Sequence, residues 1–223
     1  MTGFFDSGFG GLCILEAFMR ECPGEPFVYI ADSANCPYGN KPREEIEAIC
    51  DRIAGELITG HHCNLVVVAC NTATAQAIDF LRGRYPEVPF VGLEPAIKPA
   101  AQDTKTGVVG VLATRGTFGG RLYQETSRKF AAGVTVLTRV ADDWVELVER
   151  GVIDGPEAEA AVRAAVEPLL DAGADRLVLG CTHFPHLRPL IERVASGRAK
   201  VVDSCQAVAR QARRLLECQP PKT

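Results

Sequence analysis

The chain of 223 residues is long enough for one large α/β domain or two modest ones sharing a cleft, and 47% hydrophobic against 23% charged residues is the balance of a soluble globular protein. A net charge of −4 gives no basic footprint for nucleic acid, and the longest apolar stretch, Leu65 to Cys70, is strand-sized and excludes a membrane span. Asp6 interrupts an N-terminus with no basic and then apolar segment, so a cytoplasmic location is expected, and the nine cysteines read as reduced thiols rather than a disulfide framework.

Short runs rich in Val, Leu and Phe alternate with helical periods. The first strand, Gly3–Phe5, runs into the glycine-rich loop Asp6-Ser7-Gly8-Phe9-Gly10-Gly11, and Phe27–Ile30 is the second. After Pro42, Ile46, Ile49, Cys50, Ile53 and Leu57 recur at helical spacing. Leu65–Ala69 leads into Cys70-Asn71-Thr72, and Phe90–Gly92 follows. Beyond a boundary near Pro95–Pro99, Val108–Leu112 leads into Thr114-Arg115-Gly116-Thr117, and Val134–Leu137 is the next strand. A helix opening at Pro156 carries Ala158, Ala161, Val162, Ala165, Val166, Leu169 and Leu170; Pro168 is expected to kink or end it. Arg176–Leu179 leads into Cys181-Thr182-His183, Lys200–Val202 is the last strand, and Val208, Ala209, Ala212, Leu215 and Leu216 form a closing stripe.

Continuous apolar strands separated by helices predict an α/β fold with mostly parallel sheets. The strand-to-loop units of the first half recur in the second, so two similar, pseudo-symmetric α/β domains are expected to face a shared cleft. The first comprises 1–96 plus 205–223 and the second 97–204. Ligands of open α/β sheets bind at the carboxyl ends of strands, which would bring Cys70 and Cys181 to opposite walls.

Removing a proton from one face of a carbon and returning it to the other needs an acceptor on one side and a donor opposite. Thiols suit both tasks because their ordinary pKa, near 8.5, is close to neutrality. Donors or helix-start dipoles beside a cysteine would lower its pKa, and Asp6 and His183, in the same strand-end loops, are expected to tune proton state. Asn71, Thr72, Thr182, Ser7 and the backbone N–H groups beside Ser7 offer donors for carboxylates, and Asp6 offers a charge for an ammonium. Against this stand plainer readings. A lone cysteine is more often a buried small residue, Asp6 can cap a turn, Tyr38 can be ordinary packing, and His186 can be solvent-facing or hydrogen-bonded. His61, His62, Cys63 and His183 reproduce no four-ligand zinc pattern, so no metal is expected, and the Gly8–Gly11 loop lacks both nucleotide-binding signatures.

Five segments, in order, make the chain resemble the glutamate racemases of the aspartate/glutamate racemase family. They are Phe5 to Leu12, Pro37-Tyr38-Gly39-Asn40-Lys41, Val68-Ala69-Cys70-Asn71-Thr72-Ala73-Thr74, Glu94-Pro95-Ala96, and Leu179-Gly180-Cys181-Thr182-His183-Phe184-Pro185. The resemblance implies two α/β domains with glutamate between them, and no pyridoxal phosphate or metal. It implies Cys70 and Cys181 as the proton donor and acceptor, with Asp6, His183 and Glu149 assisting. It also implies substrate contacts from Asp6, Ser7, Tyr38, Gly39, Asn71, Thr72, Thr182 and His183, with Thr114 and Thr117 as further contacts. The implied setting is D-glutamate supply for peptidoglycan in a bacterial cytoplasm, by a homodimer. The chain is short for this family, and Cys205 stands where a glycine often follows Asp-Ser. Racemisation of aspartate or a hydantoin is the neighbouring reading. A non-catalytic acidic amino-acid-binding or thiol-sensing protein is a reading from a different class.

Overall fold

Alternation along the strands decides what each sheet face meets. Phe5, Val66 and Val68 point into one apolar cluster, with Ile46, Cys50, Ile53, Ala77 and Leu81. Their neighbours Phe4, Leu65 and Val67 point the other way, against Ile14, Phe18, Val208 and Ala212. A strand covered on both faces needs apolar residues at every position, which is why these runs carry no polar alternation.

The computed structural model describes residues 1–130 and 133–218. Its first half contains β1 (Thr2–Asp6), α1 (Leu12–Glu21), β2 (Phe27–Ala31), α2 (Arg43–Gly55), β3 (Leu65–Val68), α3 (Asn71–Arg84) and β4 (Phe90–Val91). The second half contains α4 (Ile97–Asp103), β5 (Val108–Ala113), α5 (Arg115–Phe118), α6 (Arg121–Phe130), β6 (Thr135–Val140), α7 (Asp143–Glu149), α8 (Pro156–Asp171), β7 (Arg176–Gly180), α9 (Arg188–Ala195) and β8 (Lys200–Val202). The closing helix is α10 (Cys205–Glu217). Residues 219–223, which the sequence assigns to the first domain, lie outside the described residues. No helix among the described residues is long and apolar enough to cross a membrane.

The strands form two four-stranded sheets, ordered β2-β1-β3-β4 and β6-β5-β7-β8. Every pair is parallel, with Phe5 opposite Val68 in the first sheet and Ala113 opposite Gly180 in the second. The expected α/β fold with two similar halves is therefore what the chain adopts, because the two strand orders are the same order four strands apart. In each sheet the chain reverses direction across its first strand. The loops after β1 and β3, and after β5 and β7, consequently flank a switch point, where an open α/β sheet leaves a crevice.

The second sheet repeats the alternation. Leu177 and Leu179 join Trp144, Val162, Val166 and Ile191, while Val109, Val111 and Val178 join Ile97, Ala100 and Tyr123. Helix α10 lies against α1, where Gln206 and Arg213 both reach the Glu21 carboxylate. At the edge of the second sheet, β6 runs to Val140 rather than stopping at Leu137, with its outer residues exposed. An edge strand needs no apolar cover on its free side, so hydropathy alone ends it early. Pro168 does not break α8 at once; the helix continues to Asp171. The ring removes the donor that Ala164 would receive, and the Arg139 guanidinium donates to that carbonyl instead, at 3.3 Å.

Candidate active site

Four strand ends carry the polar residues of the site. Asp6 is the last residue of β1, and Cys70 is the N-cap of α3, where its Sγ accepts the Ala73 N–H at 3.5 Å. Thr114 caps α5 after β5, and Cys181 directly follows β7. Asp6, Ser7, Cys70, Asn71, Thr72, Thr114, Thr117, Cys181, Thr182 and His183 are all buried.

Asp6 lies between the halves and is completely buried. Its Oδ2 accepts the Gly11 N–H at 2.8 Å and the Thr182 hydroxyl at 3.4 Å, and the Ser7 hydroxyl donates to Oδ1 at 3.5 Å. Burial raises the Asp6 carboxyl above its ordinary range, although His183, Cys70 and two backbone N–H groups pull it down. The Cys70 thiol donates to Ser7 Oγ at 3.9 Å. Burial and then the Asp6 charge hold Cys70 well above the usual thiol pKa, and Cys181 adds to this, against the Ala73 N–H. One N–H at 3.5 Å is too weak to offset complete burial beside a carboxylate.

After β7, Cys181 Sγ lies 3.7 Å from His183 Nδ1, and His183 Nε2 lies 2.6 Å from Glu149 Oε1. Burial opposes the imidazolium, but Cys181, Cys36 and Glu149 outweigh it and raise the His183 pKa well above its ordinary value. Burial likewise opposes the Glu149 carboxylate, yet His183 and the Phe9 N–H lower its pKa. Both shifts describe one imidazolium–carboxylate pair. Packing aims it, because the Trp144 ring on α7 meets Phe184, the residue after His183, edge-on at 4.8 Å.

The glycine-rich loop packs against this pair. Phe9 N–H donates to Glu149 Oε1 at 2.8 Å, and the Tyr29 hydroxyl donates to the Gly8 carbonyl at 2.9 Å. A Cβ on Gly8 would lie 2.1 Å from Glu149 Oε1, and one on Gly10 would lie 2.5 Å from His183 Nδ1. The loop is glycine-rich because backbone must approach those side chains closely. Two of its N–H groups, Phe9 and Gly11, are thereby committed to protein carboxylates rather than to a ligand.

Further contacts lie within and between the halves. The Thr72 and Thr114 hydroxyls are 2.8 Å apart, Thr114 and Thr117 are 3.0 Å apart, and the Gln76 amide donates to the Gly116 carbonyl at 2.8 Å. His186 donates from Nε2 to the Gly10 carbonyl at 3.2 Å, which agrees with its hydrogen-bonded reading. The Tyr38 hydroxyl donates to Asp32 at 2.7 Å, and a Cβ on Gly39 would meet Thr114 at 3.3 Å. The catalytic and substrate-contact candidates singled out from sequence therefore cluster at the carboxyl end of the two sheets, whereas His61, His62 and Cys63 precede β3 at the other end. Asp32, Cys36, Gln76 and Asp142 were missed. Asp32 and Asp142 closely follow β2 and β6, a positional signal the sequence did carry, whereas Gln76 and Cys36 have no such signal.

The side-chain amide of Asn71 is buried at 4% exposure, and its Nδ2 has no hydrogen-bond partner among the described residues. It lines a narrow crevice with Ile14, Cys181, Thr182 and Cys205. A cavity of about 620 Å³ lies elsewhere, around Asp103, Asp175 and Arg176 at the opposite ends of the second sheet's strands. There Arg176 is paired with both aspartates.

A family profile described as Asp/Glu/Hydantoin racemase matches residues 13–212. The glutamate racemase of Roseiflexus sp. (strain RS-1) is 46% identical over 215 residues, covering 96% of this chain and 79% of that protein. The glutamate racemase of Pseudomonas aeruginosa PAO1 is 43% identical over 218 residues, covering 98% and 82%. The crystal structure of Escherichia coli glutamate racemase in complex with L-glutamate and the activator UDP-MurNAc-ala matches with a TM-score of 0.91 at 35% identity, covering 99% of this chain and 84% of that one.

Proposed function

The chain belongs to the Asp/Glu/hydantoin racemase family, and from that premise we propose that it interconverts L- and D-glutamate by proton transfer between Cys70 and Cys181. One thiolate takes the Cα proton, leaving a carbanion stabilised by the adjacent carboxylate. The opposite thiol donates its proton to the other face, and the two sulfurs end in exchanged protonation states. The observation that carries this reading is the equivalence of the two cysteines. Cys70 follows β3 and Cys181 follows β7, the matching third strands of two identically ordered sheets.

In this reading the raised pKa of Cys70 makes it the donor in the state described, with Asp6 setting its proton affinity. His183 serves Cys181 and is held charged and oriented by Glu149. The unpartnered Asn71 amide, with Ser7, Thr72 and Thr182, receives the substrate carboxylates. A buried donor left unpaired costs about 1–3 kcal/mol, which a bound carboxylate would recover. Asp6 and His183 contact the substrate's charged groups, and Tyr38, Gly39, Thr114 and Thr117 complete the enclosure. The chemistry calls for neither pyridoxal phosphate nor a metal. The reading extends to a homodimer working in the cytoplasm to supply D-glutamate for peptidoglycan, with 1–96 plus 205–223 as one domain and 97–204 as the other.

Incubation with L-glutamate in D₂O, without added cofactor, tests it. Deuterium at Cα together with loss of optical rotation is the expected result. Exchange confined to aspartate or a hydantoin would move the assignment to a sister activity. Tight binding without exchange would leave an amino-acid-binding protein. Cys70→Ala and Cys181→Ala should each abolish racemisation in a folded protein.

A further inference from the structure

Cys205 faces another thiol. Cys205 Sγ lies 3.3 Å from Cys13 Sγ, across 192 positions of sequence. Cys13 is the second residue of α1 and Cys205 the first of α10, and both are half-buried, so small reagents have access. The pair sits where the chain crosses between halves. Just before it, the Ser204 hydroxyl donates to the Glu94 carbonyl on the other crossing, and Asp203 accepts the Cys205 N–H at 2.9 Å. It also borders the site, since Cys13 donates to the Thr182 carbonyl at 3.5 Å, and Thr182 in turn bonds Asp6.

We propose that Cys13 and Cys205 are a reversible oxidation site for low-molecular-weight disulfides, and that the bond between them slows turnover by fixing the start of α10 to α1. The effect on turnover rests on the racemase reading; the bond itself does not. Closing from 3.3 Å to the bonded length asks the sulfurs to approach by about 1.3 Å. The Cys205 thiol loses its proton and its thiolate attacks one sulfur of the reagent, breaking the reagent's S–S bond. The first reagent thiolate leaves and takes up a proton. The Cys13 thiol then deprotonates and attacks Cys205 Sγ, expelling the second reagent thiolate, which is protonated in turn. Two protein thiols are oxidised to one disulfide while one reagent disulfide is reduced to two thiols. Its hydrogen bond to Cys205, then burial, hold Cys13 as a thiol, which suits it to the second step.

Once joined, Cys13 no longer donates to Thr182, and the crossing at Asp203–Ser204 is bound to α1 as well as to Glu94. Motion of one half against the other, which opens a cleft between two domains, is then restricted.

The test treats the reduced, full-length protein with oxidised glutathione, blocks remaining thiols with iodoacetamide, and maps disulfides by non-reducing peptide mass spectrometry. A Cys13–Cys205 linked peptide without retained glutathione is expected. It should be accompanied by a fall in kcat of about fivefold or more that dithiothreitol reverses. Cys205→Ser and Cys13→Ser, each compared with its own untreated rate, should lose the reversible fall. Glutathione retained on Cys205, linkage among other cysteines, full activity in the linked protein, or an equal fall in Cys205→Ser would each overturn the proposal. The cross-link is read by mass alone, so its absence leaves the racemase reading standing. Cross-linked protein whose reduced form never acts on glutamate instead overturns that reading, and with it the effect on turnover.

Discussion

His183 Nε2 and Glu149 Oε1 are 2.6 Å apart, and the same carboxylate oxygen accepts the Phe9 N–H from the other half of the chain. One carboxylate therefore orients the imidazole beside Cys181 and anchors the glycine-rich loop. Glu149→Gln should keep the fold and lower kcat by about 10- to 100-fold through loss of orientation and charge. The Glu149 charge helps hold His183 above its ordinary pKa. The alkaline limb of the kcat/KM profile should therefore shift to lower pH in the variant. An unmoved limb with reduced kcat would assign Glu149 to loop anchoring alone.

The same pair sets a pH window for stability. The lowered Glu149 pKa contributes stability above the ordinary carboxylate range, lost as pH falls through its folded value. The raised His183 pKa contributes stability below the ordinary imidazole value, lost as pH rises through its folded value. Thermal midpoints measured from acid to mildly alkaline pH should show a plateau between these limits. In Glu149→Gln the plateau should narrow from both sides.

Asp6 works in the opposite sense from Glu149. Its raised carboxyl contributes most stability at low pH, and that contribution is lost as pH rises through the folded value. Once the carboxyl ionises, its charge is a cost of the site. Asp6→Asn, which keeps an acceptor for Gly11, should raise the thermal midpoint at pH 7 while lowering kcat by at least about 10-fold. A variant that is both less stable and fully active would contradict this.

Asn71 carries a buried amide nitrogen, Nδ2, with no hydrogen-bond partner among the described residues. Asn71→Ala should leave stability unchanged or improved by about 1 kcal/mol. It should raise KM for glutamate by at least about tenfold with a smaller change in kcat, since the contact is made in the ground state and the transition state alike. Steady-state kinetics beside a denaturation curve separates this from a structural role.

Gly8 and Gly10 are held to glycine by close approach. Gly8→Ala puts a methyl 2.1 Å from Glu149 Oε1, and Gly10→Ala puts one 2.5 Å from His183 Nδ1. Each should destabilise by about 1–3 kcal/mol and displace the pair that serves Cys181. The measured pattern should be a lower thermal midpoint together with reduced kcat. An alanine tolerated at both positions would mean that the loop stands farther from the opposite half.

The inner strands β1, β3, β5 and β7 were legible in the linear pattern because strands buried on both faces are continuously apolar, whereas the exposed edge strand β6 was legible only in part, and the recurrence of Cys-Asn-Thr and Cys-Thr-His after β3 and β7 exposed the repeated architecture. The site loops were legible for the same reason, since they follow those strands directly. Tertiary structure decided what Cys70, Asp6 and His183 are electrostatically. The helix start beside Cys70 is a local feature, but burial and the Asp6 charge come from residues far away in sequence, and together they raise its pKa. It also decided which glycines face side chains, that Arg139 satisfies the carbonyl Pro168 leaves free, and that Cys13 meets Cys205. Apolar periodicity is a short-range property that a sequence states outright, whereas desolvation and cross-chain contacts exist only once distant segments share one interior.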